Sequence, residues 1–160
     1  MKEIQLTQGK IALVDDEDYE WLNQWKWLAH KARGKFYAKR NIWINNKRVL
    51  VGMHRVIMNT PIHLEVDHVD HNTLNNQRYN LRNCSHCQNS KNQKSHKDST
   101  SKYKGVFQKR PDRFQSHITQ NGKIIHLGTY KTEEEAARAY DEAAKRLHGK
   151  FAYLNFKKTG

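Results

Sequence analysis

Side chains able to hold a metal ion and move a proton are concentrated between Glu65 and Asn89. Asp67 offers a carboxylate and Asn89 an amide, hard oxygen donors of the kind that suits Mg²⁺ or Mn²⁺, with waters completing the shell. His68 follows Asp67 directly, so it would stand beside such an ion, ready to deprotonate a water. Asp70 and His71 repeat the Asp-His pair three residues later and are rival candidates. They rank lower because they fall inside an expected loop. Each of these residues also has a plainer use, since Asn and Asp cap turns and tolerate left-handed backbone. Cys84-Ser-His-Cys87 has the spacing of half a zinc site. Structural zinc takes two such pairs, and the chain has no other cysteine, so structural zinc is not expected and small buried thiols are the better reading.

These groups work only if the backbone brings them together. Leu64 to His68 reads as a strand, the Asn-rich run after it as a loop, and Leu81 to Cys84 as a second short strand. Ser85 with Gln88 makes a capping box, so a helix should start at His86 and carry Asn89 on its first turn. Asp67 at a strand end and Asn89 on a helix could then meet across the hairpin.

The rest of the 160 residues sets the context. Lys+Arg number 29 against 16 Asp+Glu, a formal net charge of +13, and such an excess attracts polyanions, nucleic acid first. A basic surface without nucleic acid remains the plain alternative. Hydrophobic content is 36% and mean hydropathy −1.02, so the core must be thin or split into small modules anchored by the 16 aromatic residues. No apolar run reaches the roughly 18 residues that span a bilayer, and the first residues lack a signal-peptide core. With two cysteines there is no disulfide framework, and a cytosolic protein is expected, in a bacterial or phage-infected cell.

Residues 1–61 mix short apolar runs with turns. Ile11 to Val14 reads as a strand, and Asp15-Asp16-Glu17-Asp18 as the cap of a helix running through Tyr19, Leu22, Trp25 and Trp27. Phe36 to Arg40 and Asn41 to Ile44 look like strands. Asn45-Asn46 is a hairpin turn before Arg48 to Gly52, and Met53 to Met58 a short helix. Trp21, Trp25, Trp27 and Trp43 are expected in the core. His54 and Arg55 lie just before the active strand, where contact with DNA stays open.

Residues 97–101 form a polar linker. Between 91 and 113 stand eight Lys/Arg against Asp98 and Asp112. Lys91, Lys94 and Lys97 would lie well along a phosphate backbone, or be merely solvated. In residues 102–160, Tyr103 to Lys109, Phe114 to Thr119 and Ile124 to Leu127 read as three strands, the last two joined by an Asn121-Gly122 hairpin. A helix follows, with Thr132 as N-cap, Glu135 completing a capping box and Gly149 as the stop. Ala136, Ala139, Tyr140, Ala143 and Leu147 share one face, and small side chains let that helix lie close on a sheet.

The Asp67-His68, Asn80, Asn89 arrangement, with Val66, Asn75-Asn76 and Leu81-Arg82 around it, resembles the HNH homing endonucleases with a ββα-metal core, in the variant whose last His is Asn. The offsets are 12 from His68 to Asn80 and 21 from His68 to Asn89. The resemblance implies that Asp67 and Asn89 hold the metal, that His68 is the general base, and that Asn80 holds its imidazole by hydrogen bonding. It implies hydrolysis of a DNA phosphodiester to 5′-phosphate and 3′-hydroxyl ends.

Tyr103-Lys104-Gly105-Val106, Ile118, Leu127-Gly128-Thr129-Tyr130, Thr132 to Asp141, Gly149 and Leu154-Asn155-Phe156 resemble the ethylene-response-factor (Apetala-two) DNA-binding domain. That resemblance implies a sheet face set in the major groove, presenting Lys104, Phe107, Lys109, Arg113, Phe114, His117, Thr119 and His126. Plant members use mainly Arg and Trp at such places, so their target sequence does not transfer. Arg82 is a further expected DNA contact.

Together the expectation is an α+β chain: an N-terminal α+β extension (1–61), a small ββα-metal nuclease core (62–96), the linker, and a three-stranded antiparallel sheet packed on one helix (102–160). It would be a homing, phage or mobile-element endonuclease using Mg²⁺ or Mn²⁺ on double-stranded DNA, as a monomer or weak dimer without a membrane partner. The rivals are a sequence-specific DNA-binding regulator with a vestigial nuclease motif, and a protein that binds or cleaves RNA.

Overall fold

A computed structural model describes residues 1–95 and 99–156. The chain divides into two compact units, Met1–His86 and Cys87–Gly160. In the first, β1 (Lys2–Gln5) pairs antiparallel with β2 (Ile11–Val14), and α1 (Asp16–Leu22) follows. A meander of β3 (Leu28–Ala32), β4 (Lys35–Ile44) and β5 (Lys47–Gly52) leads to the short helix α2 (Met53–Ile57). Then β6 (Glu65–His68) pairs with β7 (Leu81–Cys84) across the loop 69–80. The helix α3 (His86–Lys91) begins where the two units divide.

One core serves the whole first unit. Ile4, Leu6, Ala12, Val14, Leu22, Trp27, Ala29, Ala38, Met53, Ile57 and Leu81 are buried together, with Val66 and Leu74 packed against them. The N-terminal segment expected as an extension therefore shares its core with the strands that carry Asp67 and His68. Asn45 and Asn46 turn the β4–β5 hairpin with φ of 48° and 59°, a left-handed pair that asparagine tolerates better than other side chains.

Several local expectations change. The helix capped by Asp15 stops at Leu22, short of Trp25 and Trp27. The strands β1 and β3 lie where the sequence signals no strand, and the two segments expected at Phe36–Arg40 and Asn41–Ile44 are one strand, β4. Trp27 is in the core, but Trp43 is 73% exposed, and Trp25 lies at the surface beneath the Arg40 guanidinium, 3.8 Å from its ring centroid.

The second unit is a three-stranded antiparallel sheet, β8 (Val106–Arg110), β9 (Arg113–Gln120) and β10 (Lys123–Tyr130), in the order β10-β9-β8, backed by α4 (Glu133–His148). The capping box forms as the sequence implies: Thr132 Oγ1 accepts from the Glu135 N–H, and the Glu135 carboxylate accepts from the Thr132 N–H. Ala136, Ala137, Tyr140, Ala143 and Ala144 are buried against the sheet. Buried Asp141 receives the N–H groups of Asn155 and Phe156, which ties the C-terminal tail to the helix. No helix among the described residues is long and apolar enough to cross a membrane.

Candidate functional site

β6 delivers Asp67 and His68 at its C-terminal end, and the register sets Asp67 opposite Arg82 and His68 opposite Leu81. Both acid and imidazole are buried, at 5% and 6% exposure. Arg82 Nε donates to Asp67 Oδ2 at 2.8 Å, and Nη2 reaches the same oxygen. The guanidinium expected to meet DNA is thus held inward, because cross-strand neighbours face the same side of a sheet. Arg82, expected as a DNA contact, is here engaged by Asp67.

The His68 ring is boxed in. His54 of α2 lies edge-on to it with centroids 5.2 Å apart, and Tyr37 of β4 at 6.4 Å. Its Nε2 is 3.5 Å from Asn76 Oδ1. Burial pushes its pKa down, against smaller upward pulls from Asn76, Asp70 and Asp67. An acceptor facing Nε2 favours the tautomer protonated there, which leaves the lone pair on Nδ1.

Asn76 has no exposed surface. Its Nδ2 donates to Leu74 O at 3.1 Å and its N–H to Leu13 O at 2.8 Å, while Leu13 N–H donates to Leu74 O. The amide oxygen is turned toward His68 because β2 holds the backbone and Leu74 takes the NH₂ group. Asn80 sits one step farther out. Its Oδ1 accepts from Asp70 N–H at 2.9 Å, and its Nδ2 donates to Asn75 O at 2.8 Å. The resemblance puts Asn80 on the imidazole; the described bonds show it clamping the loop, with Asn76 as the amide facing the ring. The sequence signal for Asn76 was the Asn75-Asn76 pair, which matched the resemblance without suggesting a role.

Asp70, the rival acid, is committed to the loop: it accepts from Asn72 N–H at 2.7 Å and Asn75 Nδ2 at 2.8 Å. Burial raises its pKa, but bonds from Asn75, Asn72 and Asn80 outweigh that and hold it below the usual carboxylate range. His71 supplies a left-handed turn, with φ 67°. More distant residues pin the same loop. Asp15 accepts from Gln77 Nε2 at 3.0 Å and from Arg78 N–H at 2.7 Å, and buried Asp18 pairs with the Arg78 guanidinium. Arg55 is spent on the carbonyls of Leu64, Thr60 and Pro61.

Among the described residues no group of three or more His, Cys, Asp or Glu is placed to hold a metal. Asn89, on α3, belongs to the second unit. Of the two cysteines, Cys84 is buried and its thiol is pushed up to about 11 by burial, whereas Cys87 is exposed rather than buried as expected.

In the second unit the face of the sheet opposite α4 carries Phe107, His117 and His126 as a cluster, with ring centroids 5.5 and 4.9 Å apart. Lys109, Arg113 and Thr119 are exposed, and Ile124, which the sequence reading passed over, joins them at 73% exposure in register with Thr119. Two residues leave the expected reading face. Phe114 packs with Val106, Ala136 and Ala137 on the helix side, because neighbours on a strand point to opposite faces and Arg113 already points outward. Lys104 is half-buried and donates from Nζ to Lys91 O at 2.6 Å, and burial pushes its pKa down to about 8. Lys91 is half-buried and Lys94 exposed; Lys97 lies outside the described residues. A cleft of about 670 Å³ separates the segment Cys87–Ser95 from the sheet at Phe107, His117, Thr119 and Ile124.

Residues 101–150 match the AP2 domain. Over 154 residues, 92% of this chain and 76% of the other, the chain is 29% identical to an uncharacterized HNH endonuclease of Acanthamoeba polyphaga mimivirus. An AP2-like ethylene-responsive transcription factor of Arabidopsis thaliana is 44% identical over 61 residues, 38% of this chain and 13% of that protein. An ethylene-responsive transcription factor of Medicago truncatula is 49% identical over 61 residues, 37% of this chain and 26% of its own length. The chain joins a segment similar to HNH endonucleases to a C-terminal AP2 domain.

Proposed function

We propose that the chain is a site-specific DNA endonuclease of homing, phage or mobile-element type that hydrolyses a phosphodiester of double-stranded DNA with one divalent cation. The observation that carries this reading is His68: an imidazole buried beside a carboxylate, its pKa pushed down by that burial, and faced by a backbone-fixed amide at Nε2. His68 takes the proton of the attacking water on Nδ1. Asn76 holds the ring in that tautomer, and Asn80 with Asp15 keeps the loop closed behind it. Asp67 and Asn89 are the proposed ligands of Mg²⁺ or Mn²⁺; when bound, the cation stabilises charge on the phosphate and the leaving oxygen. The products are 5′-phosphate and 3′-hydroxyl ends. The exposed face of the AP2 sheet, with Phe107, Lys109, Arg113, Thr119 and His126, is proposed to seat the duplex.

A second reading has one observation in its favour. Asp67 is already ion-paired with Arg82, as a ligand retired from metal binding would be. In that case the chain is a DNA-binding regulator with a vestigial motif. Supercoiled plasmid treated with wild type or His68→Ala, in Mg²⁺, Mn²⁺ or EDTA, separates the two. Metal-dependent nicked or linear product with wild type, lost in His68→Ala and in EDTA, is expected. Intact plasmid in every lane beside a clear duplex gel shift would favour the regulator.

A further inference from the structure

His54, the second residue of α2, has no role in the mechanism above. Its ring meets His68 edge-on, with centroids 5.2 Å apart and planes at 71°, and touches Tyr37 at 6.0 Å. Gly52 leaves room for this: a Cβ there would stand 2.6 Å from His54 Cε1. The Nδ1 atom is sealed from solvent and has no hydrogen-bond partner among the described residues. A buried polar atom left unanswered is destabilising, and a phenylalanine filling the same space would not carry that cost.

Burial, helped by His68, Lys39 and Arg55, pushes the His54 pKa down to about 3, so the ring is neutral at any working pH. A proton on Nδ1 would bury an unanswered donor, so the neutral ring carries it on Nε2. The surroundings favour an anion as the acceptor. Residues 21–64 contain nine Lys/Arg and no Asp or Glu.

We propose that His54 is a second catalytic histidine of the site, whose Nε2–H donates a hydrogen bond to a non-bridging oxygen of the scissile phosphate. The inference rests on the nuclease reading and adds a residue to it. The water that His68 deprotonates lies within hydrogen-bond reach of His68, and the phosphorus it attacks stands about 3–3.5 Å beyond. A ring in edge contact with His68 is within reach of the oxygens on that phosphorus. A neutral donor there strengthens its bond as negative charge develops on those oxygens.

Two variants of the full chain separate this role from packing. His54→Phe keeps the ring and removes the donor; His54→Gln keeps an N–H donor and gives up the ring. With supercoiled plasmid and Mn²⁺, His54→Phe is expected to cut about 100-fold more slowly than wild type, and His54→Gln within about tenfold of it. Melting temperature and affinity for linear duplex serve as controls: His54→Phe is expected to melt at or above wild type, and both variants to bind linear duplex about as well as wild type. A phenylalanine variant as active as the glutamine variant, or more so, overturns the inference and leaves His54 a packing residue. Plasmid untouched by wild type overturns the nuclease reading, and this inference with it, so the two failures are told apart by the wild-type lane.

Discussion

The helix α4 and the loop 69–80 are both well fixed, but by opposite means. α4 is specified from within. Thr132 and Glu135 close its N-terminus three residues apart, and alanines at helical spacing lay it on the sheet. The loop is specified from outside. Leu13, Asp15 and Asp18 hold it through Asn76, Gln77 and Arg78, and Thr73 Oγ1 donates to Phe36 O. A motif inside a regular element can be read from its own residues, whereas a loop that backs a site depends on residues elsewhere in the chain.

The comparison can be broken at several points. The largest effect is expected at Asp67, where cleavage and folding meet. Asp67→Ala removes a proposed ligand and takes the Asp67 anion from the half-buried Arg82 guanidinium, a cost of up to about 3 kcal/mol. Its melting temperature should fall well below that of His68→Ala, although neither variant should cleave. Equal melting temperatures would mean that the ion pair is not what holds the β6–β7 hairpin. Asp15→Ala comes next. Loss of its bonds to the Gln77 amide and the Arg78 N–H should cost about 1–3 kcal/mol and slow cleavage, although Asp15 lies outside the motif. The four tryptophans, at 21, 25, 27 and 43, all lie in the first unit, so tryptophan fluorescence melting reads that loss directly. The smallest effect is expected for Thr132→Ala, about 1 kcal/mol from a lost N-cap. Amide exchange in α4 should speed up while the tryptophan melting curve stays where it was; a shift in that curve would show that the two units do not unfold independently.

Much of this was legible in the sequence where information is local. β7, the start of α3, the Asn45-Asn46 turn and the α4 capping box all come from residues a few positions apart. Asp67 and His68 were legible as a chemical pair. The part played by Asn76 was not, because its amide is oriented through Leu13 and Leu74, and nothing near position 76 names Leu13. Trp43 was misplaced for a similar reason. Aromatic character suggests burial, but its position near the tip of the β4–β5 hairpin takes it out of reach of the core. Phe114 was a different error. Arg113 and Phe114 are neighbours on one strand, so strand alternation alone forbids both from facing the DNA.

The pins on the loop also decide where the gene can be cut and rejoined. Asp15 is bonded to residues 62 and 63 positions away. A recombination crossover between α1 and Gln77 would part Asp15 from Gln77 and Arg78, and the offspring would inherit the motif residues without the frame that orients them. A crossover downstream of α3 leaves the frame whole and exchanges the AP2 module. The bonds from Asp15 thus make the stretch from α1 to Arg78 a block that has to be inherited together.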